Sequence, residues 1–137
     1  MSQTLAYFVS SHGFGHAARA AAVIDHLCRL RTELRIELFT GTPRWFFEQS
    51  LGGQVMSERI RYRSWSTDVG LVQETALAEN LQATVQTLGE WLPLRAEVIQ
   101  STAEAVQTSR TELVVADISP LGLQVARELG LRSIAVR

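Results

Sequence analysis

Short apolar runs alternate with stretches of helical periodicity along this chain of 137 residues, and that alternation constrains its fold more than any other feature. "TLAYFVS" (residues 4–10) is a short apolar run, the pattern of a strand buried on both faces, and "LRIELFT" (34–40), "ELVVAD" (112–117) and "RSIAV" (132–136) read as further strands. After the first run, Ala21, Ile24, Leu27, Cys28 and Leu30 recur at helical spacing, with Arg29 and Arg31 in the last turn, where cations suit the helix dipole. "RWFFEQSL" reads as a short aromatic helix opened by Pro43, and "PLGLQVARELG" as a helix started by Pro120 and stopped by Gly130. In "ERIRYRSWS" (58–66), Ile60, Tyr62 and Ser64 alternate with Arg59, Arg61 and Arg63, which predicts a third strand with one polar face. From 74 to 109 the apolar residues Leu77, Leu81, Val85, Leu88, Trp91, Val98, Ile99 and Val106 predict a long helical region, kinked or divided where Gly89 and Pro93 interrupt it. Strands alternating with helices require right-handed crossovers, so the expected class is α/β: a parallel sheet of about five strands with helices on both faces.

Composition narrows the chemistry. The length suits one compact domain, and no internal repeat or flexible linker divides it. The formal net charge is -1 and the basic residues are scattered, which argues against nucleic acid as a partner. All 13 basic residues are Arg, which excludes a Walker-type lysine and a Schiff-base lysine. Cys28 is the single cysteine, so neither an intramolecular disulfide nor a thiolate zinc cluster forms. No apolar stretch approaches the roughly 18 residues of a membrane span. The histidines and carboxylates fall at no metal-ligand spacing, so no metal or cofactor is expected.

In a doubly wound sheet the ligand crevice lies beyond the carboxyl ends of the strands. Three loops collect there: 10–16, 40–44 and 117–120. The first contains His12, Gly13, Phe14, Gly15 and His16. Its glycines permit a sharp turn and close approach of a ligand to main-chain N–H groups, which then open a helix whose N-terminus favours an anion. Any tight strand-to-helix turn also favours glycine. Gly13, Gly15 and Ala18 satisfy a dinucleotide fingerprint as well, but the second strand ends in Thr40, Gly41 and Thr42 without the acidic residue that would hold an NAD ribose. An NADP 2'-phosphate could be met only by Thr42 and Arg44.

Three collinear segments, "HGFGHAAR" (12–19), "STDVGLVQ" (66–73) and "VVADISPLGLQVARELGLRSIAV" (114–136), resemble the N-terminal half of GT-B glycosyltransferases. The resemblance is strongest to the bacterial glycosyltransferase-like proteins related to the N-terminal region of L-arabinokinases. It is more distant to the glucosaminyl transferases acting on the lipid-linked peptidoglycan precursor. The likeness implies a Rossmann-like domain that holds the acceptor, while a second domain holds the nucleotide-sugar. Against that likeness the chain is expected to be a single domain stopping at Arg137 without the donor-binding domain, either a fragment or a degenerate stand-alone product, and inactive alone in both cases.

The resemblance assigns roles residue by residue. His16, at its Gly-His position, is the candidate base for the acceptor hydroxyl, and an imidazole titrating near neutrality suits that task; capping the helix is the alternative. Asp117 either positions His16 or an acceptor hydroxyl, or caps the following helix. His12, Gly13, Phe14 and Gly15 belong to the ligand loop, with His12 orienting it. Arg19 meets a phosphate or a carboxylate, or is solvated. Asp68, Gly70 and Gln73 sit where they can contact sugar hydroxyls, or Thr67 or Asp68 caps a helix. Ser119 completes the substrate-binding set. His26 is a structural residue. Trp45, Phe46 and Phe47 serve either as a platform for a sugar or a lipid or as core.

The expected partners are a sugar or lipid-linked acceptor and, with a second domain only, a nucleotide-sugar donor. The alternative function is a non-catalytic sugar- or partner-binding module, of the kind fused to a sugar kinase. The last strand is expected to leave a sheet face uncovered and open to self-association. A cytoplasmic setting follows from the cysteine usage, with peripheral contact at the inner membrane allowed.

Overall fold

The computed structural model describes residues 2–67, 73–75, 78–79, 82 and 95–137. Its elements are β1 (Gln3–Val9), α1 (Gly15–Leu30), β2 (Leu34–Thr40), α2 (Arg44–Leu51), α3 (Gly53–Glu58), β3 (Ile60–Ser64), β4 (Gln73–Thr75), β5 (Ala78–Glu79), α4 (Ala96–Thr108), β6 (Leu113–Asp117), α5 (Pro120–Leu129) and β7 (Arg132–Val136). Five strands form one sheet in the order β3-β2-β1-β6-β7, every neighbouring pair parallel. The first three strands run outward to one side of β1, and the chain then crosses to build β6 and β7 on the other. The reversal falls between β1 and β6, which is the switch point of the sheet.

Alternation along the strands divides the core in two. Leu5, Tyr7 and Val9 of β1 face Ala17, Ala20 and Ile24 of α1, Phe47 of α2 and Met56 of α3. Ala6 and Phe8 face the opposite way, onto Val106 of α4 and Leu121, Val125 and Ala126 of α5. Successive residues of a strand point to opposite faces, so a run apolar throughout is what a sheet covered on both sides requires. Gly122 lets α5 approach β1: a Cβ there would stand 2.8 Å from Cγ of Phe8. Phe8 in turn stacks on Phe39, ring centroids 4.5 Å apart. α5 has Ser119 as N-cap, accepting from the Gly122 N–H at 3.1 Å, and Gly130 as a left-handed C-cap with φ of 66°.

Two expectations are corrected. The helical region predicted from residue 74 begins instead with the antiparallel pair β4 and β5; Gln82 and Ala96–Thr108 are helical as expected, and most other residues between lie outside the described ones. The predicted strand 58–66 is shorter, because Gly53–Glu58 forms α3, ending where β3 begins. Burial of Met56 against the first core holds this helix, which starts at Gly53 directly after the left-handed Gly52. At the other edge β7 is largely exposed, Ile134 included.

Candidate functional site

All five strands of the main sheet end at one level. Val9 pairs with Thr40 and with Asp117, Thr40 with Ser64, and Asp117 with Val136. The expected loops therefore gather on one rim. The loop after β1 is tied to the end of β6 by the Ser10 N–H, which donates to the Asp117 carbonyl at 3.1 Å. Its turn depends on Gly13, whose φ of 73° is left-handed. Gly15 already belongs to the helix. The His12 N–H donates to Ser10 Oγ at 3.3 Å, so the loop is braced from within.

Asp117 follows Val115 by two along β6 and so shares its face, toward α1. Its side chain is 0% exposed. His16 and Arg19, three residues apart on α1, lie on one helix face and converge on it. His16 Nδ1 lies 3.0 Å from Asp117 Oδ1. Arg19 donates from Nε to Oδ2 at 3.1 Å and from Nη2 to Oδ1 at 2.6 Å, a bidentate clamp. Its Nη1 donates to the Arg137 carbonyl at 2.8 Å. A carboxylate only accepts, so the hydrogen bond to Asp117 is made when Nδ1 carries a proton; Arg19 Nη2 also lies 3.3 Å from that nitrogen. His16 is half-buried.

This cluster has electrostatic consequences. The hydrogen bond to Asp117 raises Arg19 above the usual guanidinium range. Burial, and after it the negative charge of Asp117, push the Tyr7 phenol up to about 12, against a smaller opposing effect of Arg19.

The remaining sequence-predicted residues divide by position. Ser119 is buried: its hydroxyl donates to the Thr67 carbonyl at 2.7 Å while capping α5. Thr67, which sequence reading treated only as a possible cap, donates from Oγ1 to the Val9 carbonyl at 2.9 Å. Thr67 thus stitches β1 to the β6–α5 turn. The carboxylate that Arg19 meets is the chain's own Asp117. Asp68 and Gly70 lie outside the described residues, and Gln73 opens β4. His26 is an exposed residue of α1. Of the α2 aromatics, Phe47 is fully buried in the first core, whereas Trp45 is half exposed. Arg44 pairs with Glu48 at 2.7 Å, whereas Thr42 is buried with its hydroxyl unpartnered among the described residues. No cluster of three or more His, Cys, Asp or Glu side chains among the described residues could hold a metal ion. No helix among them is long and apolar enough to cross a membrane.

A five-stranded parallel sheet in this order, helices on both faces, is one half of a GT-B glycosyltransferase fold. The chain belongs to glycosyl transferase family 1, whose family model matches residues 3–137. It is 31% identical over 132 residues to L-arabinokinase of Arabidopsis thaliana, an alignment covering 96% of this chain and 12% of that protein. Among solved structures it is similar to a UGT transferase from Siraitia grosvenorii in complex with UDP, with TM-score 0.59 and 20% identity over 98% of this chain and 27% of that one. It is also similar to UDP-glucose: anthocyanidin 3-O-glucosyltransferase in complex with UDP, with TM-score 0.62 and 17% identity over 98% of this chain and 29% of that one. At these identities the structural likeness is one of fold.

Proposed function

We propose that this chain is the acceptor-binding half of a glycosyltransferase, working in the cytoplasm with a nucleotide-sugar donor held by a second domain. The observation that carries this reading is the His16–Asp117 contact at the switch point of the sheet. In the proposed reaction His16 Nε2 takes the proton of an acceptor hydroxyl while its oxygen bonds to the anomeric carbon of the donor sugar. The nucleoside diphosphate departs with the electron pair of the broken glycosidic bond. Asp117 keeps the imidazole in the required tautomer and stabilises the imidazolium that forms. Arg19 fixes the carboxylate from the other side, and Ser119 and Thr67 hold the turn that delivers it. His12, Gly13, Phe14 and Gly15 frame the acceptor, with Asp68, Gly70 and Gln73 assigned to its hydroxyls. Without the donor half, this domain binds an acceptor and does not turn over.

A second reading has its own support. Because the chain is similar to 12% of a protein named as a sugar kinase, the same site could serve as a sugar- or partner-binding module without transfer.

NMR of the His16 ring nitrogens separates these readings. Hydroxyl-bearing acceptors, including simple sugars, phenols and lipid-diphosphate analogues, are expected to shift the Nε2 resonance, and their O-methylated counterparts to leave it in place. A panel that never moves His16 in a folded sample overturns the acceptor reading. Ligand binding elsewhere on the chain, with His16 silent, favours the module.

A further inference from the structure

Two groups of opposite charge reach the same ring nitrogen of His16. Nδ1 lies 3.0 Å from Oδ1 of Asp117 and 3.3 Å from Nη2 of Arg19. Further contacts fix the guanidinium where it stands. Nε donates to Oδ2 of Asp117 at 3.1 Å, Nη2 to Oδ1 at 2.6 Å, and Nη1 to the Arg137 carbonyl at 2.8 Å, just past the end of β7. The fork of Nε and Nη2 is enough to clamp the carboxylate. The approach of Nη2 to the imidazole comes in addition, because Arg19 follows His16 by three residues and rises from the same face of α1.

A carboxylate beside an imidazole stabilises the protonated ring, and burial strengthens the effect. The Asp117 side chain is 0% exposed, so an unopposed charge there would hold a proton on His16. Arg19 changes the field at the ring. Its Nη2 stands nearly as close to Nδ1 as the carboxylate oxygen does, so the imidazole meets an ion pair rather than a bare anion, and the cation disfavours a second positive charge. The Arg19 side chain is 40% exposed, and water screens part of its charge. His16 also stands in the first turn of α1, whose N-terminus acts in the same sense as Arg19. From β1 comes Tyr7, whose phenol is neutral up to about 12 and adds no charge at neutral pH.

We propose that Arg19 tunes His16: its guanidinium offsets the charge of Asp117 at the ring, so that the carboxylate orients the imidazole without holding it protonated. Arg19 is thus a positioning residue with an electrostatic role of its own. The purpose of the tuning rests on the reading of His16 as a base, whereas the tuning itself is a property of the free domain. Asp117 sets the direction of the Nδ1–H, and Arg19 keeps Nε2 available. A lysine could bring the charge, but as a single point it could not hold both carboxylate oxygens and the Arg137 carbonyl while reaching Nδ1.

The test follows the His16 ring nitrogens through a pH titration by long-range proton–nitrogen NMR, in wild type, Arg19→Gln, Arg19→Met and Arg19→Lys. Circular dichroism checks that each variant is folded. The protonation midpoint of His16 is expected to rise by about half a pH unit or more in the two neutral variants, where the carboxylate is unopposed. Arg19→Lys is expected to return at least halfway to wild type, because it restores the charge. A smaller rise or a fall in the neutral variants overturns the tuning, as does a lysine variant no different from them. If the neutral variants fail to fold, the native chain decides. Protonation of His16 turns the Nη2–Nδ1 contact from attraction to repulsion, so the Arg19 Nη resonances are expected to move with the His16 midpoint; resonances that stay still overturn the proposal. The two readings fail separately. A midpoint that responds to Arg19 while no acceptor shifts Nε2 leaves a tuned imidazole and removes the acceptor reading. Acceptor shifts with a midpoint indifferent to Arg19 leave the base and remove the tuning.

Discussion

His16 Nδ1 and Asp117 Oδ1 are 3.0 Å apart although 101 residues separate them in the chain. The contact exists because β1 and β6 are parallel neighbours ending at the same level, so the helix following one strand lies over the last residue of the other. Replacing Asp117 by Asn tests what the contact does. The amide of Asn can donate to Nδ1, which moves the imidazole proton to Nε2 and removes the nitrogen that would act as base. Long-range proton–nitrogen NMR is expected to report the Nδ1–H tautomer in the native chain and the Nε2–H tautomer in Asp117→Asn.

The two loop glycines are expected to respond in opposite ways to alanine. Gly13 has φ of 73°, a conformation that costs an L-residue about 1 to 2 kcal/mol, so Gly13→Ala should destabilise by that order. Gly15 lies in α1 with no atom within 4 Å of an added Cβ, so Gly15→Ala should be neutral or slightly stabilising. Urea denaturation of the two variants reads the contrast directly.

Gly122→Ala should destabilise for a different reason. The new Cβ would meet Cγ and Cδ2 of Phe8 at 2.8 and 2.9 Å. Phe8 is fully buried and stacked on Phe39, so it has nowhere to swing. Overpacking of this kind costs about 1 to 3 kcal/mol, and chemical denaturation is the measurement.

Stability should fall at high pH through Tyr7. Its phenol is held up to about 12, above the value near 10 of the unfolded chain, so the folded state favours the neutral form. The contribution is fully present below pH 10 and is lost as pH rises from about 10 to about 12, amounting to about 2 to 3 kcal/mol across that window. Burial also raises Cys28 and Tyr62, which act in the same sense. Comparing unfolding midpoints from pH 8 to 12 in wild type and Tyr7→Phe isolates the Tyr7 share; a variant with the same alkaline slope as wild type would show that Tyr7 contributes nothing to it.

What the sequence determined by itself is whatever local physics settles. Continuous apolar runs of strand length, the glycine turn before His16, proline at the start of α5 and glycine at its end each act over a few residues, and each reappears in place. These suffice for a parallel α/β sheet and for locating the rim where the loops collect. Tertiary structure decided the rest, because it depends on partners distant in the chain. Gly53–Glu58 is a helix because Met56 finds a core to bury in. Trp45, Phe46 and Phe47 are equally aromatic in the sequence, and only the packing of α2 on the sheet buries Phe47 and leaves Trp45 at the surface. Arg19 could have faced a ligand or solvent. Its carboxylate proved to be Asp117, brought under α1 by the crossover from β3 to β6, a meeting that no short-range pattern encodes.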